Sequence, residues 1–180
     1  NLIEKRLSRE KHPNKMFFSY ANTVATIDFA KQFKGHGWVG ISYQIEPDED
    51  YNEIILHIRF KETDVRLQQE TLGILGVNLI YGAFYKYNDP KRLLRYLYDH
   101  LDKDQLEIDT INFSGPRFAD VDNRLMSLQL VKNGMTDAVM FNPDGKNILP
   151  AAILYKKNIL AFRGSFRPVT KVNMDMYEKS

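Results

Sequence analysis

Ser114-Gly115-Pro116-Arg117 places a hydroxyl, a flexible glycine and a guanidinium directly after an alternating run that begins at Leu106. A phosphate or carboxylate suits such a turn, because arginine binds these groups bidentately and a following helix N-terminus favours anions. Asn112 and Ser114 would orient the anion that Arg117 holds. Against this, Pro116 has no N–H, and Asp120 and Asp122 would repel negative charge. The segment is neither a Gly-x-x-x-x-Gly-Lys-Ser/Thr loop nor a Gly-x-Gly-x-x-Gly turn. The competing reading is a tight turn in which Arg117 pairs with Asp120 or Asp122.

A second candidate is Arg163-Gly164-Ser165-Phe166-Arg167-Pro168, where two arginines four apart flank Gly-Ser. They suit a phosphate clamp, or they are solvated charges after a strand. If the chain brings this turn beside Ser114–Arg117, then Arg117, Arg163 and Arg167 converge on one anion. Asp120, Asp122 and Asn123 offer oxygen ligands for Mg²⁺ or Ca²⁺, but a short cluster of this kind more often caps a helix, which makes Asp122 a weak metal candidate. Gly35-His36-Gly37 is half of the His-x-Gly-His nucleotidyl-transfer signature, and His57, in a neighbouring strand, is a partner for His36. The four histidines, His12, His36, His57 and His100, lack metal-ligand spacing, so zinc is not expected. Ser114, His57 and Asp109 supply the types of a hydrolytic triad, but no Gly-x-Ser-x-Gly elbow accompanies them.

These residues need elements to position them. Residues 38–46 and 53–60 read as two strands of an antiparallel hairpin joined through Pro-Asp-Glu-Asp-Tyr-Asn. In the second strand Ile54, Leu56, Ile58 and Phe60 share a core face; Glu53, Ile55, His57 and Arg59 share a face polar enough for water or ligand. Residues 65–86, capped by Thr63 or Asp64, predict a long buried helix. Its Gly73, Gly76, Gly82 and Ala83 imply another element packed closely against it. Asn88-Asp89-Pro90 stops that helix and starts an amphipathic one over 91–101. Residues 106–141 predict a β-α-β unit whose helix covers about 122–133 and ends at Gly134. Residues 151–155 and 158–163 predict a second hairpin. Near the start, residues 2–11 have helical spacing, 16–20 read as a buried strand or a lead-in, and 22–33 lean to helix. The expected class is α/β or α+β, a mixed sheet with hairpins and one β-α-β unit, flanked by helices.

Composition excludes several classes. A net charge of +2 without a basic run argues against a nucleic-acid binder. The absence of cysteine removes disulfides, thiol nucleophiles and Cys-ligated zinc, and fits a cytoplasmic setting. No apolar run is long enough to span a bilayer. At 180 residues the chain has the size of one domain, with residues 1–15 as a helical lead-in and 16–180 as the domain. Its opening residues, starting at Asn1, suggest an internal piece of a longer protein.

The segments VRLQQETLGILGVNLIYGAFY, INFSGPRF, VDNRLMSLQLVKNGMTDAVMF and RGSFRPVTKVNMDMY resemble a family of uncharacterised bacterial proteins prominent in Bacteroidota. Its members are longer chains, labelled in some cases nicotinic acid mononucleotide adenylyltransferase and in others TonB-dependent receptor. The first label would require the full histidine signature; the second would require a long amphipathic β-barrel, which a helix-containing sequence is not. The resemblance implies a bacterial source and nucleotide-related transferase chemistry, and transfers no catalytic residue. The expected function is binding of a nucleotide or phosphorylated metabolite, with Mg²⁺ as an optional companion. The alternative is a non-catalytic domain that assembles with the rest of its parent chain or with a second copy of itself.

Overall fold

The computed structural model describes residues 14–25, 35–164 and 166–179. They fall into two compact units, residues 1–149 and residues 150–180. The predicted helix over residues 2–11 lies outside the described residues, as does most of the one over 22–33.

The first unit is built on a four-stranded sheet, β1 (Phe18–Ala25), β2 (His36–Tyr43), β3 (Asn52–Phe60) and β4 (Leu106–Ser114), in that spatial order. Every neighbouring pair is antiparallel. The β2–β3 hairpin is the one expected from sequence. Asn22–Ala25 continue β1 instead of opening a helix, and β1 is largely exposed where a buried strand was one expectation. The α+β class is observed, while the β-α-β unit resolves differently. Its last strand, β5 (Met140–Phe141), is two residues long and pairs antiparallel with β6 (Asn147–Ile148) in a separate small sheet.

One face of the sheet is core. Val39, Ile41, Ile54, Leu56, Ile58, Leu106, Ile108 and Ile111 are all buried. Against them lie α1 (Val65–Tyr85), α2 (Pro90–Tyr96) and α3 (Asn123–Lys132), through Leu75, Leu79, Leu93, Leu94, Met126 and Leu130. Each such side chain contributes about 1.5–3 kcal/mol by leaving water. The long helix α1 buries one face, while Val77 and Tyr85 remain mostly exposed. Two of its glycines are used as expected: a Cβ on Gly76 would meet the Tyr20 hydroxyl, and one on Gly82 would meet Leu93, whereas Gly73 faces open space. Asp64 caps α1 by accepting from the Arg66 and Leu67 amides, and Asp89 caps α2. The buried Asn78 donates to the Leu97 and Asp99 carbonyls, locking α1 to the end of α2.

The edge of β4 away from β3 is closed by loops and side chains. Asn123 exchanges two hydrogen bonds with the Phe113 backbone, donating to its carbonyl and accepting from its N–H. Asn147 donates to the Ile111 carbonyl, and the Ile108 N–H bonds to the Met135 carbonyl.

In the second unit, the predicted hairpin over 151–163 is replaced by α4 (Pro150–Leu154) and an irregular segment. Pro150 sits at the first helical turn, where its fixed φ and missing N–H cost nothing, and Ala151 and Ala152 propagate helix better than strand. Thr170 and Asn173 form a capping box at the start of α5 (Lys171–Glu178). No helix among the described residues is long and apolar enough to cross a membrane.

Candidate functional site

The sheet face opposite the core carries His36, Trp38, Glu53, Ile55, His57, Arg59, Asp109 and Asn112, and its chemistry depends on an irregularity in β4. In the sequence Leu106-Glu-Ile-Asp-Thr-Ile-Asn-Phe-Ser114, strict alternation slips at Asp109-Thr110, where two polar residues stand in succession. The ladder slips at the same place: His57 pairs with Thr110 and Ile58 with Ile108, leaving Asp109 as the extra residue of a bulge. The bulge lets Leu106 and Ile108 on one side, and Ile111 and Phe113 on the other, all face the core. It also aims Asp109 at the His57 ring.

The result is a hydrogen-bonded chain. His57 Nδ1 lies 2.8 Å from Asp109 Oδ1, and His57 Nε2 lies 3.4 Å from His36 Nδ1. His57 is 3% exposed and the Asp109 side chain 8%. At that burial both ring nitrogens of His57 need protein partners, and both have one. Arg59 Nε stands 3.8 Å from the second Asp109 oxygen, so the carboxylate has an ion-pair partner besides its hydrogen bond to His57. The indole of Trp38 meets the His57 ring edge-on at 4.9 Å between centroids. Gly37 lets β2 pass close to β1 here, since a Cβ on it would lie 2.1 Å from the Thr23 carbonyl oxygen.

Beside this chain a cavity of about 620 Å³ opens, lined by Trp38, Thr110 and Asn112 of the sheet and by Asp122, Arg124 and Lys146 from beyond it. Asp122 caps α3 through the Arg124 amide and holds the Arg124 guanidinium with both oxygens. Those bonds to Arg124 hold the Asp122 carboxyl below the usual carboxylate range. Asp122 is therefore a cap and an ion-pair partner. No three acidic or histidine side chains among the described residues are placed to bind a metal ion.

The Ser-Gly-Pro-Arg turn has a different role from the one expected. Arg117 pairs with Glu46 at 2.8 Å and with Glu49 at 2.5 Å, both on the β2–β3 connection, and not with Asp120 or Asp122. Its amide donates to Asn52 Oδ1, and its guanidinium lies over the Tyr87 ring. Burial alone would raise the Glu49 carboxyl, but bonds from Arg117 and from the Ile45 and Glu46 amides hold it below the usual range. The bonds from Glu49 and Glu46 in turn raise the Arg117 guanidinium. An incoming phosphate would have to displace a carboxylate. Gly115 is required at this turn: its φ is 102°, and a Cβ would sit 2.4 Å from the Tyr51 carbonyl oxygen.

Of the other expected residues, Ser114 bonds to Glu53 and stands four residues along β4 from Thr110, the partner of His57, or roughly 13 Å away. It takes no part in a triad with His57 and Asp109. Arg163 and Arg167 belong to the second unit, where both are exposed, and Arg163 lines a separate cavity of about 360 Å³ with Phe162, Asn173 and Tyr177. Sequence reasoning missed Trp38, Arg124 and Lys146 as site residues, and placed Asp109 only as the acid of a triad with Ser114 and His57. The available signal was the double polar step at Asp109-Thr110. No family model, curated protein or solved structure matches the chain.

Proposed function

We propose that the first unit binds a nucleotide or another phosphorylated metabolite on the outer face of its sheet, in the cavity between the strands and the start of α3. The observation that supports this is the cavity's lining: the indole of Trp38, the exposed carboxamide of Asn112, and the cations Arg124 and Lys146. An aromatic wall takes a flat ring or sugar face, a carboxamide reads polar edges, and cations meet phosphate. This moves the anion-binding role from Arg117, which is committed to Glu46 and Glu49, to Lys146, with Arg124 beside it already held by Asp122. Nucleotide-related transfer remains within the proposal, since the two histidines adjoin the same face.

A thermal-shift panel of nucleotides and sugar phosphates tests it. A ligand at 100 times its dissociation constant stabilises by about 2.7 kcal/mol. Trp38→Ala and Lys146→Ala should weaken that response, and Arg117→Ala should leave the ligand's dissociation constant unchanged. No shift with any member of the panel would overturn the reading.

A second reading, an assembly domain, is favoured by one observation on the second unit. Ile159, Leu160, Val169, Val172, Met176 and Tyr177 are all more than half or about half exposed. A unit of this size that leaves such side chains in water suits a partner surface. Light scattering of the chain over a concentration series, repeated with Val172→Ser and Tyr177→Ser, would detect self-association through this surface.

A further inference from the structure

The hydrogen-bond chain on the outer face has a direction. An ionised carboxylate only accepts, so the hydrogen between Asp109 and His57 belongs to His57 Nδ1. In neutral His57 that leaves Nε2 as an acceptor, and the hydrogen shared with His36 must then belong to His36 Nδ1. Neutral His36 is thereby left with a bare lone pair on Nε2. His36 is exposed, so its ring reaches solvent, whereas His57 is buried. A buried carboxylate, a buried imidazole and an exposed imidazole in series fix the tautomer of the last ring, so that its Nε2 is the atom able to take a proton during a reaction. Arg59, the Cα partner of His36 across the β2–β3 ladder, presents a half-exposed guanidinium on the same face. Glu107 is the partner of Arg59 on β4 and accepts from the Thr136 hydroxyl. A group placed at His36 therefore meets a proton acceptor and a cation together.

We propose that His36 is a general acid–base residue for hydrolysis of a phosphate ester, with His57 and Asp109 as its positioning residues and Arg59 as a contact for the phosphoryl oxygens. The proposal rests on the ligand-binding reading above. In the step, His36 Nε2 takes a proton from water as the water oxygen bonds to phosphorus. The ester P–O bond breaks, its electron pair leaves with the alcohol oxygen, and that oxygen recovers the proton from His36. Alcohol and phosphate are the products, and His36 ends as it began.

Two measurements on the whole chain test this. Long-range ¹H–¹⁵N correlation spectra without ligand should show both His36 and His57 as Nδ1–H tautomers at neutral pH, and Asp109→Asn should disturb both. Finding His36 in the Nε2–H form, or unaffected by Asp109→Asn, would overturn the relay. Hydrolysis of a panel of p-nitrophenyl phosphate mono- and diesters supplies the second. There His36→Gln, at an exposed position, should lower kcat about 10²- to 10⁴-fold with little change in KM. Asp109→Asn should lower kcat by less and displace the acid limb of the pH–rate profile, which a purely structural role would not do. Nucleotide binding without cleavage of any ester would overturn the hydrolytic step and leave the ligand reading standing. Absence of any binding would remove the ligand reading and the hydrolytic step, while the tautomer spectra would still decide the relay.

Discussion

Two charged clusters flank the same hairpin, and they end differently. At the β2–β3 connection, Arg117 is enclosed by Glu46, Glu49 and the Tyr87 ring, and Glu49 also accepts from two backbone amides. Every strong group there is answered from within the protein, which makes the cluster a clasp. On the outer face, Asp109 and His57 are equally well answered, but the chain runs on to an exposed imidazole. A buried network that terminates on an exposed acceptor can exchange a proton with a ligand, whereas a closed one can only hold the fold. The guanidinium in the Ser-Gly-Pro-Arg turn was the natural place to look for chemistry, yet it belongs to the closed cluster.

That contrast can be broken most forcefully at Gly115. Gly115→Ala puts a side chain at a left-handed φ and against the Tyr51 carbonyl. It should cost at least about 1–3 kcal/mol in urea unfolding, with no direct effect on the outer face. Next comes Arg117→Ala, whose effect should depend on pH. Glu49 titrates lower in the folded chain than in the unfolded one, so its contribution is fully present above the unfolded carboxyl range and is lost as pH falls through the folded value. The gap between the urea midpoints of the native chain and Arg117→Ala should accordingly be widest near about pH 7 and close towards about pH 3. A gap independent of pH would mean that packing on Tyr87, and not the carboxylates, is what the arginine supplies. The smallest stability effect belongs to Asp109→Asn, which keeps an acceptor for His57 and should cost no more than about 1.5 kcal/mol. If it unfolded the chain, the relay would be a second clasp and the comparison would collapse.

The strands and helices with strong local signals were readable in the sequence. Ile54, Leu56, Ile58 and Phe60 alternate as a half-buried strand must, and Asp64, Asp89-Pro90, Asp122 and Gly134 mark helix ends where the caps are found. The β-α-β expectation failed because Thr136–Phe141 looks apolar enough for a strand, yet only Met140 and Phe141 pair, and they pair with a local turn-mate. Sequence gives the tendency of a segment and not its partner. The site was half legible for the same reason. His36 and His57 were visible as a pair, since His57 lies in a strand of the predicted hairpin and His36 just before the other strand. Arg117's true partners, 68 and 71 residues away, and the cavity residues Arg124 and Lys146 are brought in by tertiary packing that no local pattern announces.

The closure of β4 has a consequence for how the molecule meets other chains. A strand edge is a template: its alternate amides and carbonyls invite any extended peptide to dock. Here Asn123 uses its carboxamide as though it were one residue of a fifth strand, donating to and accepting from Phe113, and Asn147 occupies the Ile111 carbonyl beside it. A passing strand finds those bonds already made, at the cost of two side chains in place of a whole element. Because the same two asparagines stand at the wall of the cavity, the closure of this edge and the shape of that side of the outer face depend on one pair of side chains.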